Sequence, residues 1–272
     1  LPHMLCVTNL MLHGIEVPSN VRHDNTLARP LRDYAPAERV DVVLTNPPFS
    51  QFRDFVAWVV SRDKLFSVIG NGNAVTYKEV FPLIQRNRLW KGATANSADM
   101  VFGVPKGVAV KPSDRDKAER MGYPSDDQYD YTRLGNSCWF TNIDHGRRHA
   151  PMDLMTTADN VKFSRHKEVR GLGYRTYDNY DAIEIPFSDA VPSDHDGVMG
   201  VPISFLDRFN PDQFEILGIT DRDNPHGLKT REYTADDAPN HSDLNRRGAL
   251  RLPDGSLKST YARILIRKKA GA

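Results

Sequence analysis

The chain has 272 residues, enough for one large domain or two small ones. Its 36 lysines and arginines against 35 aspartates and glutamates leave a formal net charge of +1, so overall charge does not announce a nucleic-acid binder and any basic face has to be local. Two cysteines, Cys6 and Cys138, exclude a disulfide framework and a cysteine-based metal centre; they fit a reducing, cytoplasmic setting, and with no bilayer-length apolar run and no signal peptide neither a membrane nor a metal is expected as a partner.

The chain opens on Leu1-Pro2-His3-Met4, which reads as a cut end. Residues 4 to 13 place Leu5, Leu10 and Leu12 among helix-compatible residues, and Gly14 suits the stop of that helix. Residues 15 to 17 and 20 to 27 read as short extended pieces, and residues 31 to 39 as a polar linker containing Pro36.

Next comes Val40-Asp41-Val42-Val43-Leu44-Thr45-Asn46-Pro47-Pro48-Phe49. Val42 to Thr45 are β-favouring and read as a buried strand. The paired prolines end it, because neither has an N–H for a ladder. Proline also pushes the preceding residue towards extended geometry, so Asn46 is expected at the carboxyl end of the strand. In open α/β sheets ligands bind at that end. The Asn46 amide oxygen and the Pro47 carbonyl are two acceptors that suit an –NH2 group, and Phe49 offers a flat face for a planar base. Such an arrangement holds an exocyclic amine while its nitrogen attacks an electrophile. The plainer alternative is a turn in which Pro47 and Pro48 are punctuation.

Residues 52 to 60 carry apolar side chains at 52, 55, 56, 59 and 60, the spacing of a helix covering a sheet face. Residues 65 to 69 read as a buried strand. Residues 77 to 87 read as a second amphipathic helix with Val80, Phe81 and Ile84 inward, Thr76 as N-cap and Glu79 completing a capping box. Strand, helix, strand, helix argues a parallel sheet with right-handed crossovers. Gly70-Asn71-Gly72 is a weak glycine motif, read as a wall of the site with Asn71 and Asn73 as candidate lining residues.

Residues 111 to 134 are charged and broken by proline and glycine, and read as a loop. Residues 137 to 143 read as a strand with Trp139 as a core candidate. In Asp144-His145-Gly146-Arg147-Arg148-His149, two histidines without a third ligand favour a polar turn over a metal site, and Arg147 and Arg148 are candidate phosphate contacts. Between residues 161 and 181, Lys162, Arg165 and further cations alternate with Phe163, Tyr174, Tyr177 and Tyr180. That pattern fits a nucleic-acid backbone with stacked bases, and equally a solvated surface with partly buried tyrosines. Ser193 to Gly197 reads as a turn, 201 to 209 as a short helix, 213 to 220 as a buried strand, 221 to 259 as a long loop with at most a hairpin, and 261 to 269 as a final strand.

The strand ending in Asn46-Pro47-Pro48-Phe49 resembles the catalytic motif of adenine-specific, S-adenosylmethionine-dependent DNA methyltransferases. Residues 5 to 49 (Leu5 to Gly14, Arg22-His23-Asp24-Asn25-Thr26-Leu27, then the motif) resemble the modification subunit of type I restriction systems. From about residue 51 the chain is similar to the EcoRI-type adenine methyltransferases. The strings that carry this are Gly70-Asn71-Gly72-Asn73-Ala74-Val75-Thr76-Tyr77-Lys78-Glu79-Val80-Phe81-Pro82-Leu83-Ile84, Trp139 to His145, Tyr177 to Glu184 and Asp196 to Leu206.

The resemblance implies an α/β fold: an incomplete Rossmann-like methyltransferase sheet, its first strands and methionine-holding glycine loop missing, joined to an irregular α+β target-recognition region. It implies a partial catalytic core over 1–90, the rest of the core with target recognition over 91–272, and an open edge on the catalytic strand. It implies S-adenosylmethionine as cofactor, with Asp24 or Asn25 meeting its adenine; a polar turn is the alternative there. Double-stranded DNA is the implied partner, contacted through Arg147, Arg148, Lys162 and Arg165, and a specificity subunit is a further candidate. The activity implied is methyl transfer to the exocyclic amine of a flipped adenine in a restriction-modification setting. Alternatives are transfer to RNA or a protein glutamine, and a catalytically incomplete DNA-binding fragment.

Overall fold

The computed structural model describes residues 42–93, 100–221 and 227–271. The helix expected over residues 4–13, the extended pieces before residue 28, the linker after them, and Asp24 and Asn25 lie outside the described residues. The strands in chain order are β1 (Val42–Thr45), β2 (Leu65–Asn71), β3 (Trp90–Lys91), β4 (Met100–Pro105), β5 (Tyr129–Leu134), β6 (Ser137–Thr141) and β7 (Arg175–Thr176). They continue as β8 (Ile183–Glu184), β9 (Met199–Pro202), β10 (Phe214–Ile219), β11 (Ala249–Arg251), β12 (Leu257–Ser259) and β13 (Arg263–Lys268). The α-helices are α1 (Phe52–Ser61), α2 (Phe81–Gln85), α3 (Pro112–Arg120), α4 (Thr157–Phe163) and α5 (His241–Arg246). The described residues are thus mixed α/β, with several sheets and few, short helices.

Two compact units form, each discontinuous in sequence. The first holds residues up to 72 and from 98 to 143, the second residues 73–97 and 144–272. A single boundary at residue 90 does not express that division.

In the first unit β1 and β2 run parallel, in register from Val42↔Leu65 to Thr45↔Val68. Helix α1 makes the crossover that a parallel pair requires. It buries Phe52, Phe55, Val56 and Val59, the stripe its spacing predicts. On the other side of β2, β6 pairs antiparallel, from Ser67↔Thr141 to Asn71↔Ser137, so the expected all-parallel arrangement is corrected to a mixed one. Asn142 fixes the start of β2: its Oδ1 accepts from Phe66 N at 2.7 Å and its Nδ2 donates to Lys64 O at 2.9 Å. Phe140 is fully buried while Trp139, on the opposite face of β6, is only half-buried, so the core residue is the neighbour of the one expected.

The packing of α1 on β2 rests on one contact. A Cβ at Gly70 would lie 2.4 Å from Cε2 and 2.7 Å from Cζ of Phe52. The ring therefore sits where any other residue would carry a side chain, and its outer edge meets Phe140 at 5.1 Å between ring centroids.

Residues 111–134, expected as a loop, form α3 and β5 instead. Pro112 occupies the first turn of α3, where its missing N–H costs nothing. Only Ala118 of that helix is buried, which is why its sequence looks like solvated loop. β5 pairs with β4 along its whole length, from Met100↔Leu134 to Pro105↔Tyr129.

The second unit is built on a five-stranded sheet in the order β10-β13-β9-β8-β7. All neighbours are antiparallel except β8 and β9. Ile264, Leu265 and Ile266 of β13 are fully buried, the continuous apolar run of a strand covered on both faces. Residues 77–87 form a turn and the short α2 rather than one long helix. Pro82 cannot donate within a helix interior, so it is confined to the first turn of α2. Thr76 is no N-cap: its hydroxyl donates to Asn73 O at 3.0 Å. Residues 203–207 are a 3-10 turn. Residues 221–259 are expected as a long loop with at most a hairpin; of these, 227–259 hold the β11–β12 hairpin and, beyond that, α5 and a small core of Tyr233, Ala238, Leu244 and Ala249.

Tyr177 is the second unit's counterpart to Phe52. A Cβ at Gly200 would lie 2.3 Å from its hydroxyl oxygen, and one at Gly248 2.6 Å from Cε1. The hydroxyl donates to Glu184 Oε2, while Nε and Nη2 of Arg263 donate to Glu184 Oε1 at 2.9 and 2.7 Å. Burial holds the Glu184 carboxyl above the usual carboxylate range, against the pull of Arg263.

Two outcomes follow from these contacts. Gly70→Ala is expected to cost about 1–3 kcal/mol of unfolding free energy in denaturant titrations, from overpacking against Phe52. Combining it with Phe52→Leu is expected to recover part of that loss, and strict additivity of the two changes would refute the contact. Glu184→Ala is expected to cost about 3–5 kcal/mol by leaving Arg263 without its buried partner. Parental stability in that variant would show that the pair contributes nothing.

Candidate active site

The sequence Val42-Val43-Leu44-Thr45 gives a short strand that stops where the prolines begin. Thr45 lies opposite Val68 in a parallel pair, so β1 and β2 bring their carboxyl ends to the same side. Asn46 follows directly and is half-buried. Pro47 is buried, whereas Pro48 and Phe49 are exposed, Phe49 to 37 %. Pro48 is extended (φ −52°, ψ 131°) and its carbonyl accepts from Gln51 N at 2.8 Å, closing the 3-10 turn Phe49–Gln51 that feeds α1. The motif is thus a rigid corner. Its upstream side is fixed by the β1–β2 ladder, its downstream side by Phe52 lodged on Gly70.

Among the described residues, no hydrogen bond engages the Asn46 amide or the Pro47 carbonyl. The amide is not among the buried polar atoms that lack a partner, so solvent, and hence a ligand, can reach it. This leaves two acceptors beside an exposed aromatic face. That set can accept both protons of an –NH2 group, orient its lone pair and stack its ring.

The Gly70-Asn71-Gly72 stretch is filled by protein rather than open to a ligand. Gly72 N donates to Asn136 O at 2.7 Å, Asn136 Nδ2 donates to Asn71 Oδ1 at 3.1 Å, and a Cβ at Gly72 would come within 2.7 Å of Asn136 Oδ1. Asn136 adopts φ +53° in the two-residue Gly135-Asn136 connection of β5 and β6, a conformation asparagine tolerates better than most residues. β5 and β6 lie in different sheets, so Gly135-Asn136 is a tight turn by which the chain passes from one sheet to the other. Asn71 and Asn136 are accordingly supports of the site.

β1 and β2 both lead into amides, Asn46 and Asn71, and neither carries a carboxylate at its carboxyl end.

The basic candidates lie in the second unit. Arg148 is buried; its guanidinium stacks 3.7 Å above Trp90, donates to Asp144 Oδ1 at 3.2 Å and also donates to Asn87 Oδ1. The expected phosphate contact at Arg148 is corrected to a structural strut, because its charge is already engaged. Arg147 is exposed, with one contact to Ala93 O at 3.5 Å. Lys162 is exposed, its Nζ 4.8 Å from the Phe163 ring centroid. Arg165 is exposed and pairs with Asp189 at 2.6 Å. A cavity of about 280 Å³ in this unit is lined by Trp90, Lys91, His145, Arg147 and Met152 among others. Among the described residues no group of three histidine, cysteine or acidic side chains could hold a metal ion, and no helix is long and apolar enough to cross a membrane.

The two histidines of this segment have separate partners. His145 Nε2 meets Lys91 O at 3.1 Å. His149 lies between two carboxylates, Nδ1 at 2.7 Å from Asp212 Oδ2 and Nε2 at 3.1 Å from Asp144 Oδ1. A neutral imidazole has one N–H, so only the imidazolium donates to both. The Asp212 carboxylate, and after it Asp144, raises the His149 pKa above the usual histidine value. A histidine pKa raised on folding contributes stability that is complete below its unfolded value, about 6.5, and is lost as pH rises through the folded value. Unfolding free energy is therefore expected to fall more steeply above about pH 6.5 in the parent than in His149→Gln. Identical slopes in denaturant titrations across pH would remove this role.

The chain matches the family described as "Adenine-specific methyltransferase EcoRI" over residues 36–269. It is 35 % identical to the type II methyltransferase M.EcoRI of Escherichia coli over 193 residues, 68 % of this chain and 53 % of that protein. It is 32 % identical to the type II methyltransferase M.MpnI of Mycoplasma pneumoniae over 234 residues, 84 % of this chain and 64 % of that protein. A 49-residue stretch is 63 % identical to the type I restriction enzyme EcoEI methylase subunit of Escherichia coli, 18 % of this chain and 10 % of that subunit. The chain spans 53 % of the length of M.EcoRI and 64 % of M.MpnI. No solved structure matches it. With a family match extending over residues 36–269 and carrying the Asn46-Pro47-Pro48-Phe49 corner, the chain belongs to the EcoRI-type adenine-specific methyltransferases.

Proposed function

We propose that this chain carries the amine-holding part of an enzyme that methylates the exocyclic amine of adenine in duplex DNA, within a restriction-modification system. The observation that carries the reading is the uncommitted, half-buried Asn46 amide at the carboxyl end of β1, beside buried Pro47 and exposed Phe49. S-adenosylmethionine is the methyl donor typical of the family, and it supplies the electrophilic methyl group. Asp24 and Asn25 remain the candidates for its adenine.

The amine of an adenine within a duplex is occupied by pairing and shielded by stacking, so the base has to leave the helix to reach this corner. Asn46 Oδ1 and the Pro47 carbonyl then accept its two N–H groups and turn the nitrogen lone pair away from the ring plane. As that nitrogen gains a bond it gains positive charge, and the two fixed acceptors stabilise the charge without reorganising. Phe49 stacks on the base and restricts it to one orientation. Double-stranded DNA is the partner, with Arg147, Lys162 and Arg165 offered to phosphates. The likeness to a type I methylase subunit makes a specificity subunit a candidate second partner.

Asn46→Ala is expected to lower methyl transfer from labelled S-adenosylmethionine to adenine-containing duplex by about a hundredfold or more, with an unchanged thermal midpoint. The same assay on a duplex whose adenines are replaced by purine, which lacks the amine, is expected to give no transfer. Near-parental activity of the variant, or labelling of the purine duplex, would sink the reading.

A further inference from the structure

Two large apolar side chains leave the second unit at one place. Phe163, the last residue of α4, is 61 % exposed, and Leu172 is 71 % exposed. Leu172 lies between Gly171 and Gly173, both at φ +77°, a backbone conformation that makes glycine the fitting residue on either side. This turn lies against the end of α4: Gly171 N donates to Val161 O at 2.8 Å, and a Cβ at Gly173 would lie 3.9 Å from Val161 Cγ2.

The scaffold beneath is fixed. Asn160, fully buried, donates through Nδ2 to Met155 O and Thr156 O at 3.2 Å each. Ser164 is buried and its Oγ accepts from His166 N at 3.2 Å; Val169 is fully buried. Two apolar tips are thus held out of a well-anchored base, rather than exposed by loose packing.

The segment that carries the tips is rich in cations, although Asp189 pairs with Arg165 and His166 there. From Val161 to Arg175 the chain has Lys162, Arg165, Lys167, Arg170 and Arg175 against one carboxylate, Glu168. Lys162, Lys167 and Arg170 are exposed and have no carboxylate partner among the described residues. A protein partner would need an acidic rim around an apolar socket. Duplex DNA offers both features in one repeating form: phosphates along the rims of the grooves and apolar base faces between steps.

We propose that Phe163 and Leu172 form a wedge that enters the base stack of duplex DNA, with Lys162, Lys167 and Arg170 on the flanking phosphates. They are DNA-binding residues, resting on the methyltransferase reading: by entering the stack they anchor the unit that carries them to the duplex. Their net contribution to binding is largest where the stack is already broken, because no unstacking cost then opposes their entry.

The test is fluorescence anisotropy with a labelled mixed-sequence duplex and the same duplex lacking one base opposite an adenine. The parent chain is expected to bind the interrupted duplex about tenfold more tightly, because the cost of unstacking is removed. Phe163→Ala/Leu172→Ala is expected to lose that preference while keeping its salt dependence. Lys162→Gln/Lys167→Gln/Arg170→Gln is expected to weaken binding to both duplexes alike and to lower the slope of log affinity against log salt by about 0.9 for each charge removed. Both apolar side chains are exposed, so an unchanged thermal midpoint is expected and serves as the folding control. A parent without preference between the duplexes, or a double variant that keeps the preference, overturns the wedge while leaving DNA binding and the Asn46 reading intact. Failure of the parent to bind either duplex overturns the wedge and the DNA reading together.

Discussion

The ring of Phe52 standing in the space above Gly70 is the contact on which the candidate active site depends. Phe52 opens α1, three residues after the last residue of the motif, and Gly70 lies in β2, the strand beside β1. One contact therefore fixes where the helix starts, how close it approaches the sheet, and where the intervening corner must turn. Asn46 and Pro47 owe their fixed positions to a residue that no chemistry requires. An acceptor pair that must meet two protons of one amine tolerates little displacement. The packing of an apolar ring is thus part of the geometry of the candidate site, acting through the backbone.

The second unit uses the same device at larger scale. Tyr177 lies close against Gly200 and Gly248, and its hydroxyl joins Arg263 on the Glu184 carboxylate. Next to it, Asn179 is fully buried and satisfied: Nδ2 donates to Leu244 O at 3.2 Å and to Arg247 O at 2.9 Å, and Oδ1 accepts from Ala249 N at 2.8 Å. Asp178 accepts from Tyr233 and Arg251, both at 2.8 Å, and from Arg231. Nearly every side chain of Tyr177-Asp178-Asn179-Tyr180 thus ties strands and the C-terminal hairpin together. The string Tyr177 to Glu184 is thus a structural knot held by hydrogen bonds.

This distinction sets what could be read from the sequence. The helix at Phe52 and the strand at Leu65 were legible because their periodicity reports burial directly; the strand at Val42 to Thr45 was legible from its β-favouring residues, but it is not the buried strand expected, since none of the four is buried. The corner at Asn46 was legible because proline acts on the backbone in the same way in every context. The helix of residues 112–120 was not, since a helix that buries only Ala118 leaves no apolar stripe. The extended helix expected after Thr76 was wrong because a moment-like pattern at Val80, Phe81 and Ile84 outweighed Pro82, which sets the actual start. Arg148 looked like a surface cation because nothing local shows that Trp90 and Asn87, far away in the chain, close over it. The same holds for Asn136, whose partners Asn71 and Gly72 lie in a distant strand end.

The division of each unit into separated segments has a consequence for how the protein comes to be. Residues 73–97 belong to the second unit but are made in the middle of the first. Their partners appear much later: Gln85 Nε2 donates to Leu217 O, 132 residues on, and Lys91 pairs with Asp207, 116 residues on. Neither unit can close as its own segments leave the ribosome in order. The first waits for β6, and the second for segments more than a hundred residues downstream of its first. Contacts so distant in sequence make for slow, late consolidation and a long interval in which apolar surface is uncovered. Expression temperature and chaperone supply are therefore expected to govern the yield of this chain more than its final stability does.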